Sequence, residues 1–427
     1  MSRTRGRIAL LWGGFLAAHA IVAVLGWVLP SQPMGDVVLV YLPWSSSALG
    51  GGAVVGLTEA WVYPQLALAP MLIAQLLAVP FMSLLGAEGA YLVGWAALAT
   101  LCDLLGFAAL VGNGRTRRRR TAAWFWTAAL LLLGPIALYR IDAVTVPLAV
   151  AGGLWLAQRP RVGAAVLTIG AWIKVWPGAL VLAALAVGRR AGQVALLAAS
   201  VTAAIAVILL MLGAGENLLG FLTAQTGRGL QIEAVAATPF LWLAVAGLAT
   251  IDYSFDILTY QITAPEADAV SALLTPLMVL VVGLIVALGV LRARRGAAWQ
   301  RLLPPLALAL IAALIVTNKV GSPQFQTWLI VPVMLWIVFD RPRARTAVVL
   351  VLMLCALTFA VYPLTYDELL AADFWAVLIV TVRNILLVAL LVHALRVVLR
   401  VPGAAAATET TRRSVAADRP TERPRGR

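Results

Sequence analysis

The sequence predicts an all-α polytopic membrane protein, and three observations lead there. Of its 427 residues, 62% are hydrophobic and only 12% charged. Apolar runs of roughly 18 residues or more, the length that crosses a bilayer as a helix, recur along the chain. The net charge of +14 is gathered in short basic clusters between those runs. A soluble helical solenoid would need polar faces that most segments lack. Binding of nucleic acid would need a basic surface, whereas these clusters read as positive loops that orient spans. Of the 32 basic residues only Lys174 and Lys319 are lysines.

Cys102 and Cys355 fall inside apolar runs with no CxxC or histidine partner, so neither a disulfide nor a metal site is indicated. His19 and His393 also lie in apolar runs and read as buried or lipid-edge side chains.

Arginines placed inside set the topology. The clusters are Arg3/Arg5/Arg7, Arg115 to Arg120, Arg159/Arg161, Arg189/Arg190, Arg292 to Arg301, Arg341/Arg343/Arg345, and Arg396/Arg400 with the tail. The first span, 8–29, resembles a signal peptide but lacks a small-x-small cleavage site, so it reads as uncleaved. Residues 30–88 form an outer segment. Within it Leu66–Leu84 is apolar but interrupted by Pro70 and Pro80, and reads as a partial or re-entrant helix. Spans follow at 89–112, 122–138 and 142–157. Residues 162–187 begin and end at cytoplasmic arginines and are too short to cross twice. They predict a hairpin with Lys174-Val175-Trp176-Pro177 at its tip. The span 191–213 leads to an outer loop, 214–267, and further spans are expected at 268–291, 302–317, 325–339, 346–362 and 374–398. Residues 1–400 thus read as one transmembrane domain, and 401–427 as a disordered basic cytoplasmic tail. Both termini lie in the cytoplasm of an inner (plasma) membrane protein.

On this topology most acids fall outside: Asp36, Glu59, Asp142, Glu216, Glu233, Asp252, Asp256, Glu266, Asp268, Asp367, Glu368 and Asp373. Few basic residues break the inside rule: Arg140, Lys174, Arg228 and Lys319, with Arg383 inside the last span. Each costs roughly 2.5–3.5 kcal/mol at a helix centre unless partnered. Local ion pairs, Arg140 with Asp142 and Arg228 with Glu233, are one explanation. A shared anionic ligand, most simply a phosphate, explains all five together.

A polyprenyl phosphate carrying one sugar would suit such a site. An acceptor hydroxyl attacks the anomeric carbon and expels the lipid phosphate, already a stable anion. The site must supply positive charge at the phosphate and a base at the hydroxyl. The candidate base is Asp36, which follows the first span and opens a short interfacial helix, 36–49, after a turn at Gly35. Asp36 could equally be the N-cap of that helix.

These stretches resemble the GT-C superfamily of polyprenyl-phosphate-dependent glycosyltransferases, in particular glycosyltransferase family 87 of actinobacteria. Gly35-Asp36 with Tyr41 resembles the family's catalytic Asp position. Trp61-Val62-Tyr63-Pro64-Gln65-Leu66 is similar to its Tyr-Pro-Pro-Leu element, with Gln65 for the second Pro. Arg140-Ile141-Asp142 resembles its outer Asp motif, and Lys174-Val175-Trp176-Pro177 its Lys-x-x-Pro turn. Arg228-Gly229-Leu230-Gln231-Ile232-Glu233 resembles a loop motif of one subgroup. Asn318-Lys319-Val320-Gly321-Ser322-Pro323-Gln324-Phe325 is similar to a Lys-x-x-Ser-Pro-Gln-Tyr element, with Phe325 for Tyr.

The resemblance implies a GT-C-like fold of about 10–12 spans with re-entrant segments and outer-face loops. It implies an inverting transfer, of mannose or of arabinofuranose, to a glycolipid or glycan acceptor on the outer face. Asp36 would be the base, and Arg140, Lys174, Arg228 and Lys319 would bind the donor phosphate. Tyr41, Tyr63, Asp142, Gln231, Glu233, Ser322 and Gln324 would face sugar or acceptor. Trp44, Trp61, Tyr63 and Trp176 fit sugar stacking or an aromatic belt. Ser322, Gln324 and Gln326 fit sugar contacts or a helix cap. Asp103 receives no role beyond a polar neighbour. No metal-ligand spacing or phosphate-binding Gly-rich loop appears, so no cofactor is called for. A transporter or flippase for a lipid-linked or anionic solute would show repeated halves, which are not seen. A noncatalytic scaffold of envelope synthesis would not need Asp36.

Overall fold

The computed structural model describes residues 3–188, 190–224, 227–254 and 259–403. Arg189, Asp256 and the tail from residue 404 therefore lie outside the described residues. The chain is an all-α polytopic membrane protein in architecture. Among the described residues, eight stretches are long and apolar enough to cross a membrane.

The helices follow one another as α1 (Arg3–Val28), α2 (Leu42–Leu49), α3 (Leu68–Ala78), α4 (Met82–Val111), α5 (Arg117–Leu133) and α6 (Asp142–Gln158). Next come α7 (Pro160–Ile173), α8 (Gly178–Val187), α9 (Ala191–Met211), α10 (Gly220–Thr223) and α11 (Thr238–Val245). The last are α12 (Ala267–Arg294), α13 (Trp299–Val316), α14 (Ile330–Asp340), α15 (Arg345–Phe359), α16 (Tyr366–Leu370) and α17 (Phe374–Arg400).

Two of the eight apolar stretches are too long to be single spans. Gln65–Val111 holds 47 residues and Pro323–Leu364 holds 42. At 1.5 Å per residue each would reach about twice the roughly 30 Å hydrocarbon core. Each contains a fold-back. In the first, α4 returns along α3, and Gly94 comes so near that a Cβ there would stand 2.4 Å from the Ala74 carbonyl oxygen. Only glycine permits that approach, the way small residues let membrane helices pack. Pro70 lies inside α3 and Pro80 in the short 3-10 turn, Val79–Phe81, that joins α3 to α4, while the residue with non-helical backbone is Gly86 (φ 69°) rather than either proline.

The helix is likewise interrupted at Lys174–Pro177, between α7 and α8, as the short halves and Pro177 predict.

The interior is apolar, as in a soluble protein, but many large apolar side chains are also exposed. From Leu302 to Ala313, α13 is apolar and buried on all sides and belongs to the main core. α9 and α12 instead point Leu196, Met211, Leu273 and Val279 outward. Contiguous exposed apolar surface of this kind is stable only against lipid or a partner. Within the bundle, His19 of α1 meets Asp103 of α4 at 3.0 Å, both buried, so Asp103 has the polar neighbour expected for it.

One element departs from the all-α expectation. Strands β1 (Thr250–Ser254) and β2 (Thr259–Thr263) pair antiparallel within the 214–267 loop. The pairs Ile251–Ile262 and Tyr253–Tyr260 share one face; Thr250–Thr263 and Asp252–Gln261 share the other. That period-2 alternation of β-branched and aromatic residues is legible in the sequence.

The two ends of the bundle carry different charge. At one end Arg7, Arg117 and Arg120 line a common cleft, and Arg118 donates to the Phe339 carbonyl at 3.0 Å. The opposite end gathers the loops that bear the candidate site.

Candidate functional site

Asp36 is already helical, with φ −58° and ψ −35°, and its carboxylate makes no cap hydrogen bond. The N-cap alternative therefore does not describe it. Nor does Gly35 make the turn: its backbone is ordinary, and the left-handed residues are Ser31 (φ 57°) and Gln32 (φ 49°). That unfavourable turn is held by Tyr362, whose hydroxyl lies 3.0 Å from both carbonyl oxygens, Ser31 O and Gln32 O.

Arg140 Nε stands 3.1 Å from Asp36 Oδ2. The guanidinium is almost fully buried, while about a third of the carboxylate remains exposed. Arg140 Nη1 donates at 2.9 Å to the carbonyls of Pro33 and Tyr139, and its charge lies over the Tyr362 ring. Burial is the largest single influence on Arg140 and opposes its charge, but Asp36 and the neighbouring phenols outweigh it and raise its pKa. Two expectations are corrected here. Arg140 does not pair with Asp142, and it serves Asp36 rather than standing open as a phosphate ligand.

Asp142 is fully buried at the start of α6. Its Oδ1 accepts from Trp328 Nε1 at 2.6 Å, and its Oδ2 lies 4.0 Å from Lys174 Nζ. Lys174 in turn sits 4.3 Å above the Tyr63 ring centroid. A cation over an aromatic face is stabilised by the ring quadrupole. Tyr63 packs edge-on against Trp44 and Trp61, and Trp176 stacks on Trp328 while its Nε1 donates to Thr145. The aromatics expected near an interface are thus mutually packed. Tyr41 is fully buried, and its hydroxyl accepts from the Ile141 N–H at 3.1 Å. It braces the Arg140 segment rather than lining the opening, a correction to its expected sugar contact.

The Arg228–Glu233 loop and the Asn318–Ser322 loop close the site. They touch backbone to backbone: Gln231 N donates to Lys319 O at 3.0 Å, and a Cβ on Gly321 would stand 2.0 Å from Ala234 N. Burial lowers the pKa of Arg228. Burial, and then the neighbouring Arg228 charge, lower that of Lys319. Arg228 also interacts electrostatically with Tyr63, which links it to Lys174. Lys174, Arg228 and Lys319 therefore converge at the same end of the bundle as Asp36. The Gln231 side chain is buried and its Nε2 has no hydrogen-bond partner among the described residues.

Glu233 does not pair with Arg228. It receives Arg383 Nη1 at its Oε2, while Arg383 Nη2 donates to the Glu233 carbonyl at 2.8 Å. Both side chains are buried, so Glu233 is occupied by Arg383, and the shared-anion explanation no longer needs Arg383. Ser322 occupies the N-cap position before Pro323 without capping; its Oγ donates to Gln324 Oε1 at 2.5 Å. Gln324 and Gln326 are buried.

The sequence reading missed Tyr362, Trp328 and a row of tyrosine rings, Tyr253–Tyr260–Tyr366–Tyr362, that ends on Arg140. The signal available was the concentration of tyrosine: four of the eight in the chain lie in this row. No group of three or more His, Cys, Asp or Glu side chains is placed to hold a metal ion among the described residues.

No family model, curated protein or solved structure matches the chain.

Proposed function

We propose that this protein is a membrane glycosyltransferase that takes a sugar, mannose in the first instance, from a polyprenyl-phosphate donor and passes it to a glycolipid or glycan acceptor. The reading is supported by one observation: three cations from separate loops, Lys174 over the Tyr63 ring and the neighbouring Arg228 and Lys319, lie at the same end of the bundle as the partly exposed Asp36 carboxylate. The ordered motif resemblance to glycosyltransferase family 87 supports the same assignment, with arabinofuranose the alternative sugar.

In this reading the cations hold the donor phosphate. The acceptor oxygen attacks the anomeric carbon, and the bond from that carbon to the phosphate oxygen breaks. The electron pair leaves with the lipid phosphate, and the hydroxyl proton passes to Asp36. The anomeric centre inverts through an oxocarbenium-like transition state, which a nearby carboxylate also stabilises electrostatically. Asp142 and Arg140 act as positioning residues, Asp142 for Lys174 and Arg140 for Asp36. The arginine-poor end of the bundle would face outward from the cytoplasm, where the positive-inside rule places it.

The test uses purified full-length protein with radiolabelled polyprenyl-phosphate mannose, or its arabinofuranosyl counterpart, and a glycolipid acceptor. Wild type should transfer label, and Asp36→Asn should lose roughly 10²–10⁴-fold. Equal transfer by both proteins would remove Asp36 as base; no transfer with either donor would remove the glycosyltransferase reading.

A further inference from the structure

At the basic end of the bundle, away from the candidate site, a cleft of about 460 Å³ opens between α1 and α5. Its lining comprises Arg7, Arg117, Arg120 and Thr121, with Leu10, Leu11 and Trp124. We infer that this cleft binds the headgroup phosphate of an anionic phospholipid.

Charge is the first argument. Among the described residues Arg7 and Arg117 have no carboxylate partner, and the ion pair found at this end belongs to Arg343 and Asp340. Arg120 is held in place through hydrogen bonds from Nη1 to the Gly114 and Arg115 carbonyls, at 2.8 and 2.9 Å, which commit one of its amino groups. Arg119, by contrast, turns its Nη1 away to the Ala109 and Leu110 carbonyls and does not line the cleft. Three like charges around one concavity repel each other unless an anion sits between them, and a phosphate matches the guanidinium fork.

Polarity along the cleft is the second argument, and it selects a lipid over a soluble anion. The arginines stand at or near the helix ends, while Leu10 and Trp124 lie further along their helices, 64% and 42% exposed. From Arg117 to Trp124 the helix advances about 10 Å, roughly the step from headgroup level into the acyl region. A cationic mouth above an apolar wall with a tryptophan at the boundary is complementary to a phosphate ester carrying an acyl chain. Inorganic phosphate would leave that wall unused.

Native mass spectrometry of the full-length protein in detergent, with phosphatidylglycerol or phosphatidylcholine added, tests the inference. Wild type should retain phosphatidylglycerol preferentially, and inorganic phosphate at millimolar concentration should not displace it. R7Q/R117Q should lose that retention by roughly tenfold or more. The control R341Q/R345Q removes the same charge at the same end but outside the cleft, and should retain the lipid. If R7Q/R117Q is not recovered folded, R7K/R117K keeps the orienting charge while losing the fork, and a severalfold loss is expected. Equal retention of both lipids, equal loss in the control, displacement by inorganic phosphate, or undiminished retention in the cleft variant would each overturn the site. None of these outcomes depends on sugar transfer.

Discussion

Arg140 binds Asp36 through a 3.1 Å contact, although Asp142 lies two residues away from it in the chain. A buried cation is thereby matched to a carboxylate with one side open, which is what a base beside an incoming hydroxyl requires. The pair separates two roles that mutation can tell apart. Arg140→Met should lower kcat by roughly tenfold or more while leaving the donor KM nearly unchanged, because Arg140 orients the carboxylate rather than the phosphate. It also strips the Pro33 and Tyr139 carbonyls of their donor, at a cost of about 1–3 kcal/mol in stability. Steady-state transfer kinetics and a thermal melt in detergent check both parts; a raised donor KM with unchanged kcat would return Arg140 to the phosphate.

Glu233 and Arg383 form a buried pair, so removing one partner strands the other. Glu233→Leu should destabilise by about 3–5 kcal/mol, whereas Glu233→Leu/Arg383→Met should recover much of that loss. Thermal unfolding of the two variants measures the difference. A Glu233 that instead binds sugar would show little change in melting and a large change in acceptor KM.

Gly321 lies where two loops meet backbone to backbone. Gly321→Ala sets a methyl group against Ala234 N and the Glu233 carbonyl carbon, neither of which can rotate away. The loops must part, carrying Lys319 from Arg228. We expect a loss of about 1–3 kcal/mol together with weakened donor binding, read by a thermal melt and a donor-binding titration on the same sample. Unchanged binding would mean the two loops act separately.

Lys319 provides a pH signature. Its pKa in the fold lies below the ordinary 10.5, through burial and then Arg228. Between the lowered folded value and 10.5 the unfolded chain holds more protons, so Lys319 makes stability rise with pH across that window. Below the folded value the penalty of the buried cation is present in full. Donor phosphate favours the charged form, so donor affinity should fall as pH rises through the folded value. Lys319→Arg should flatten that fall. Donor titrations across pH for both proteins would show it, and identical pH profiles would detach Lys319 from the phosphate.

Much of the architecture was determined by the sequence alone. Apolar runs set the helices, because each backbone amide inside a bilayer must find its partner within its own segment. The Trp-Pro interruption set the break at Lys174–Pro177, since proline cannot donate and clashes with the preceding turn. Segregation of the acids from the arginine clusters pointed to the loops that converge.

Only the tertiary structure decided which charge meets which. Sequence neighbours suggested Arg140 with Asp142 and Arg228 with Glu233. The fold instead gives Asp36 to Arg140 and Arg383 to Glu233, and it directs Asp142 toward Trp328 and Lys174. Pairing energy depends on distance and burial in three dimensions. At the start of a helix, residues one or two apart point to different sides, so proximity along the chain carries little weight against the packing of α6, α17 and the loops around them.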